Sequence, residues 1–215
     1  MTRGDAMTST TYPDQATTIE DLLVVLRAEA GAFDEDEADA DDEDEDDDED
    51  EREAAGAGED GHLTALDHGL QCAAVLRGEH PDGLELQVAG LVHDIGHRLQ
   101  PGAPELHGVV GGRYVAGLLG DRVAALVELH VDAKRFLVKV EPSYRAHLSR
   151  GSAQTLIAQG EALSDAEVVE FAAKRHAADA VVLRRADERA KVPGRPVAPL
   201  EAWFEILERV ASAVA

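Results

Sequence analysis

Apolar residues return at helical spacing along most of the chain. Leu22, Leu23, Val25 and Leu26 follow Thr18-Ile-Glu-Asp21, a Thr-x-x-Asp signature that caps a helix N-terminus, and Gly31 would end that helix. From Leu63 the period resumes with Leu66, Leu70, Ala73 and Ala74. A further helix is predicted over 84–97, after the Pro81-Asp-Gly turn. Others are predicted over 106–119, 121–139, 152–159, 165–189 and 199–214, seven or eight in all. Gly102, Gly120, Gly151, Gly160 and the pair Pro193-Gly194 fall between these segments, where helix breakers belong. In the last segment Trp203, Ile206, Leu207 and Val210, with Phe204 alongside, make a packing face.

Composition supports helices alone. Of the 215 residues 44% are hydrophobic but only 4% aromatic, which predicts an all-α protein with an aliphatic core. The single cysteine, Cys72, excludes an internal disulfide and reads as a packing residue. No apolar leader or membrane-length apolar run is present, so a soluble cytoplasmic protein with no membrane partner is expected, as a monomer or homodimer. The net charge is −24, yet residues 34–51 alone supply sixteen acidic side chains, leaving about −8 for the rest. Without a basic surface, nucleic acid is not an expected partner. Residues 1–16 are polar and expected to be disordered. One domain is expected over 17–215, interrupted by an acidic low-complexity insertion at 34–53.

The chemistry centres on Val92-His93-Asp94-Ile95-Gly96-His97. A carboxylate beside a histidine on one helix can bridge two metal ions while the histidine binds one of them. His68 lies 25 residues before His93, and His107, His130 and Asp187 follow at intervals of 14, 23 and 57, each in or at the edge of a predicted helix. Helices in a bundle can aim such side chains at one centre. Imidazole and carboxylate ligands without thiolate suit iron, manganese or zinc. Lys134 lies four residues after His130 and Arg184 three before Asp187, so each cation shares a helix face with a metal-ligand candidate. With the hydroxyls of Ser152 and Thr155, and with His97 one turn after His93, they form a candidate cradle for a tetrahedral dianion such as a phosphonate or phosphate. The plainer reading pairs Lys134 with Asp132 and Arg184 with Glu188 on the surface, with Ser152 as a helix cap and Thr155 in the first turn. His62, His80, His147 and His176 read as surface groups.

The set His68, His93-Asp94 and Asp187 resembles the HD superfamily, whose helical bundle carries the metal site in its core. His107 and His130 add the ligands that a second metal requires. His130-Val-Asp-Ala-Lys134-Arg-Phe, Leu148-Ser-Arg-Gly-Ser152-Ala-Gln-Thr155-Leu, Gln159-Gly160 and Leu183-Arg184-Arg-Ala-Asp187-Glu-Arg-Ala-Lys191 are similar to the mixed-valent diiron oxygenases of phosphonate degradation, over roughly residues 62–195. That group includes the glycine-forming 2-amino-1-hydroxyethylphosphonate dioxygenase and the HDIG-domain proteins associated with phosphonate breakdown. The resemblance implies two iron ions, Fe(II) and Fe(III), bridged by Asp94, with Asp94 and His97 in catalytic positions. It implies a small 1-hydroxyalkylphosphonate and O2 as substrates, hydrogen abstraction from the carbinol carbon, and cleavage of the C–P bond with release of phosphate. The group also carries a Tyr and a Glu before the first ligand histidine, as a lid. Here no Tyr occurs between Tyr12 and Tyr114, and Glu59 alone answers to the Glu. Two other functions fit the same ligands. One is an HD-type phosphohydrolase of a small phosphate ester or nucleotide, using Mn or Zn to generate hydroxide. The other is a non-catalytic metal-binding or regulatory HD protein.

Overall fold

The computed structural model describes residues 12–31 and 63–214. The acidic insertion, Glu59 and His62 lie outside them. Nine α-helices form among the described residues, with no strand, as the all-α expectation requires. Helix α1 (Ile19–Glu29) starts where its capping signature predicts: Thr18 Oγ1 accepts from the Asp21 amide at 3.1 Å, and Asp21 Oδ2 accepts from the Thr18 amide at 2.9 Å. Its apolar stripe, Leu22, Leu23, Val25 and Leu26, is buried. Residues 12–16 differ from the expected disordered N-terminus. Ala16 is buried and its amide donates to the Tyr114 carbonyl, while Tyr12 accepts from Arg98 Nε at 3.1 Å.

Helices α2 (Ala65–Glu79) and α3 (Leu84–Val92) form a hairpin about the Pro81-Asp82-Gly83 turn. Every residue of α3 from Leu86 to Val92 is buried, so this short helix runs through the core itself. Cys72 packs there, and burial pushes its thiol up to about 12.

The helix predicted over 84–97 is in fact two. The chain leaves helical geometry at Asp94 (φ −97°, ψ 3°) and restarts as the single turn α4 (Ile95–Leu99). Tertiary contact explains the break. Gly96 lies so close to the start of the next helix that a Cβ there would sit 1.9 Å from the His107 carbonyl oxygen.

Helix α5 (His107–Val140) has two arms divided at Gly120, whose φ of 83° is open to glycine and strained for other residues. This matches the two helices predicted over 106–119 and 121–139. His107 opens the first arm and His130 lies in the second. A 3₁₀ turn (Tyr144–His147) leads to α6 (Arg150–Ala158). Its cap is Ser149, which accepts from the Ser152 amide at 3.2 Å, so Ser152 stands in the first turn and Gly151 is inside the helix, contrary to expectation. The helix predicted over 165–189 also divides, into α7 (Asp165–Ala173) and α8 (Ala177–Arg189), because Lys174 is extended (ψ 139°). Another 3₁₀ turn (Leu200–Trp203) precedes α9 (Phe204–Ser212), which buries Trp203, Leu207 and Val210 against the core as its pattern predicts.

The packing makes a specific prediction. Gly96→Ala forces α4 away from α5 and is expected to cost about 2–3 kcal/mol in chemical denaturation. Gly78→Ala, on α2 with nothing within 4 Å of the added methyl, is expected to be neutral or to stabilise by up to about 1 kcal/mol. Equal losses in the two variants would refute this account of the helix break.

Candidate metal centre and adjoining cavity

Four helices and the break at Asp94 bring the six predicted ligands together. His68 comes from α2, His93 from the end of α3, His107 and His130 from the two arms of α5, and Asp187 from α8. All four histidines and Asp187 are almost fully buried. Asp94 sits between two groups. Its Oδ2 is 3.4 Å from His68 Nε2 and 3.1 Å from His93 Nε2. Its Oδ1 is 3.5 Å from His107 Nε2 and 3.4 Å from His130 Nε2. Asp187 Oδ1 joins the first group, 3.2 Å from His68 Nε2. In the trio His68, His93 and Asp94, and in the trio Asp94, His107 and His130, the candidate ligand atoms lie within 4.8 Å of one another.

The far side of each ring fixes its direction. Nδ1 of His93 lies 2.9 Å from the Gly90 carbonyl and Nδ1 of His130 2.6 Å from that of Val127. His107 Nδ1 meets Pro104 O, and His68 Nδ1 is 3.4 Å from Ala190 O. A carbonyl only accepts, so Nδ1 carries a proton in each ring, and Nε2 is the atom turned to the centre, where it offers a lone pair once the ring is neutral. Asp187 is split in the same way. Arg184 Nη1 donates to its Oδ2, while Oδ1, buried, has no hydrogen-bond donor. A buried oxygen in that condition is costly unless something positive completes it.

Protonation follows from these surroundings. Burial pushes Asp94 and Asp187 upward, but the charge of Arg184 beside Asp187 and of His93 beside both outweighs it and holds both well below the usual carboxylate range. Burial first, then neighbouring rings, keeps His107 well below its ordinary value, and burial lowers His130 as well. His93 goes the other way: burial lowers it, but Asp94 and Asp187 together raise it. The donors are therefore of the nitrogen and oxygen type, with both carboxylates ionised, as metal binding needs.

A cavity of about 230 Å³ opens beside the cluster. The predicted cradle lines it: His97, Lys134, Ser152, Thr155 and Arg184. His97 stacks on His107 with ring centres 3.9 Å apart. Lys134 Nζ donates to Thr155 Oγ1 at 2.8 Å and to the Ser152 carbonyl at 3.3 Å. Burial, then the Arg184 and Lys191 charges, lowers Lys134 to about 7. The surface pairing with Asp132 does not form, since Asp132 binds Arg135 and Lys174. Arg184 does meet Glu188, but in the interior. Its Nε also donates to Tyr144 Oη at 3.0 Å. His80 and His147 are exposed as expected, and His176 is half-buried at the start of α8.

Glu29 is a cavity residue that sequence reasoning missed. An acidic residue at the end of an amphipathic helix reads as solvated, yet this one is only 5% exposed and lines the cavity. Burial, reinforced by Asp94, pushes its carboxyl up to about 8. The folded chain thus keeps a proton that the unfolded chain has lost between about 4.5 and about 8. This contribution to stability is full at lower pH and disappears as pH rises through that window. For metal-free protein, Glu29→Gln should therefore match wild type in thermal stability near pH 5 and exceed it by about 5 °C near pH 8. A difference that does not change with pH would contradict the assignment.

Comparison with known proteins agrees with this centre. A family model described as the HD domain matches residues 63–188. Hydroxymethylphosphonate dioxygenase of Gimesia maris is 36% identical over 158 residues, which cover 69% of this chain and 78% of the relative. The glycine-betaine-forming 1-hydroxy-2-(trimethylamino)ethylphosphonate dioxygenase of Leisingera caerulea is 28% identical over 137 residues, 60% of this chain and 69% of the relative. The matched span runs from the segment before His68 to just past Asp187 and so contains all six clustered residues: the chain belongs to the HD domain family and resembles its phosphonate-degrading members, as the motifs led us to expect.

Proposed function

We infer that this chain is an O2-dependent oxygenase that cleaves the C–P bond of a small 1-hydroxyalkylphosphonate at a pair of iron ions. The observation that carries the reading is Asp94, whose two oxygens each face a separate histidine pair at the wall of a cavity lined by cations. The names of the two relatives support the reaction class. The donor set fits two metals. His68, His93, Asp94 and Asp187 would hold one, and Asp94, His107 and His130 the other. When bound, iron supplies a Lewis acid for the substrate hydroxyl and the electrons that engage O2.

The chain's own groups do the rest. Lys134 and Arg184 offset the phosphonate charge, and the Ser152 and Thr155 hydroxyls and His97 orient its oxygens. Anchoring the phosphonate at the cationic wall turns the carbinol carbon toward the oxygens of Asp94. The buried helices around the site limit access of water to the reacting carbon. Overall, one O2 and one hydroxyphosphonate give a carboxylate, a phosphate and a proton, so no other oxidant is required.

Two outcomes test this. Iron-loaded protein should consume O2 and release phosphate from hydroxymethylphosphonate in equal amounts. Release of phosphate from esters without O2, supported by Mn or Zn, would replace the reading with hydrolysis, and bound metal with no turnover of either substrate would make the centre non-catalytic. By elemental analysis, His130→Ala and Asp187→Ala should each halve the metal bound per chain, and Asp94→Ala should remove most of it. A single class of site lost together in all three would refute the division of ligands.

A further inference from the structure

Helix α8 carries Asp187 near its end, and the residues that follow are held by α2, the helix that carries His68. Ala190, the C-cap of α8, spends both of its backbone polar groups on ligand candidates. Its amide donates to the Asp187 carbonyl at 3.0 Å, and its carbonyl accepts from His68 Nδ1 at 3.4 Å. Two residues on, Val192 is gripped by one side chain. Gln71 Nε2 donates to the Val192 carbonyl at 2.8 Å, and Gln71 Oε1 accepts from the Val192 amide at 3.2 Å. A carboxamide presents its N–H and C=O side by side, so this pairing copies the double exchange between opposed residues of an antiparallel sheet. It fixes the orientation of the backbone as well as its position.

His68 and Gln71 are three residues apart and lie on one face of α2, and both are buried. The last carbonyls of a helix have no partner within it, so a segment just past a helix end is ordinarily free to fray. Here it is tied to α2 at two points. The His68 tie is the longer, and a ring held at 3.4 Å does not set the place of the carbonyl it meets. The two Gln71 bonds do. The spacing that depends on them lies across the first ligand group, where Asp187 Oδ1 from α8 and His68 Nε2 from α2 are 3.2 Å apart. The second group draws on other supports, since His107 and His130 turn their Nδ1 atoms to the Pro104 and Val127 carbonyls.

We propose that Gln71 is a positioning residue for one half of the metal centre. By clasping Val192 it sets the Ala190 carbonyl that orients His68 and the helix end that carries Asp187, and so governs the affinity of the site formed by His68, His93, Asp94 and Asp187 while leaving the His107–His130 site unaffected. This rests on the division of ligands between two metals proposed above. Gln87 provides a contrast: it is also a buried glutamine, but its Nε2 donates to the His80 and Pro81 carbonyls at 2.7 and 3.1 Å and so holds the α2–α3 turn.

The test titrates full-length, metal-free protein with Co(II), followed by visible absorption and calorimetry, in two backgrounds that each keep one site. In His130→Ala, which keeps the first site, adding Gln71→Met is expected to weaken Co(II) binding about tenfold and to alter the Co(II) absorption bands, as loss of a group that orients a ligand does. In Asp187→Ala, which keeps the second, the same substitution is expected to leave binding within about threefold and the bands unchanged. Gln71→Asn, which keeps the amide but falls one methylene short of Val192, should give the same selective loss with less disturbance of packing. Gln87→Met should leave Co(II) binding unchanged in both backgrounds. Equal weakening in the two backgrounds, or none in the first, would overturn the proposal and leave the clasp to stability alone. Wild-type protein that takes up a single Co(II) per chain would instead refute the two-metal division, and this inference with it.

Discussion

Asp94 has to face two pairs of histidines at once, and the break in the chain beside it is what makes that geometry available. On a continuous helix its carboxylate would follow the direction of its turn. Here α3 ends, Asp94 takes a bridge-region conformation, and α4 restarts against the first turn of α5. The close approach of Gly96 to His107 sets the position of His107 relative to Asp94, and the fold at Gly120 returns the second arm so that His130 stands 2.9 Å from His107, nitrogen to nitrogen. Stability and function meet at these glycines: the contacts that pack the helices also set the spacing of the centre.

The charges around the cluster are arranged in a graded way. Cations gather on the wall formed by α5, α6 and α8, while Glu29 from α1 brings a buried carboxyl near Asp94, His93, His97 and His68. Two ionised aspartates stand between. The negative charge of the proposed phosphonate would therefore meet cations on one wall, while the Glu29 carboxyl, protonated below about 8, adds no charge on the other.

Much of the centre was legible because metal ligands must be His or Asp and must point inward from helices, which narrows the candidates to few positions. All six expected ligands converge, and the cradle residues line the adjoining cavity. The division of α5 was also legible, since Gly120 marks it. The break at His93–Asp94 was not, because its cause is a contact with His107 and the local pattern stays helical. The break at Lys174 carries no Gly or Pro to announce it. Ser149 and Ser152 are three residues apart and either could cap α6, so the choice waits on the tertiary setting. Glu29 was hidden for a related reason: a polar residue reads as solvated unless the element covering it is known.

The most direct measurement is X-ray diffraction from crystals of iron-loaded protein, collected on both sides of the iron absorption edge. The account predicts two anomalous peaks on either side of the Asp94 carboxylate, one among His68, His93 and Asp187 and the other beside His107 and His130. A single peak, or a pair not bridged by Asp94, would contradict it.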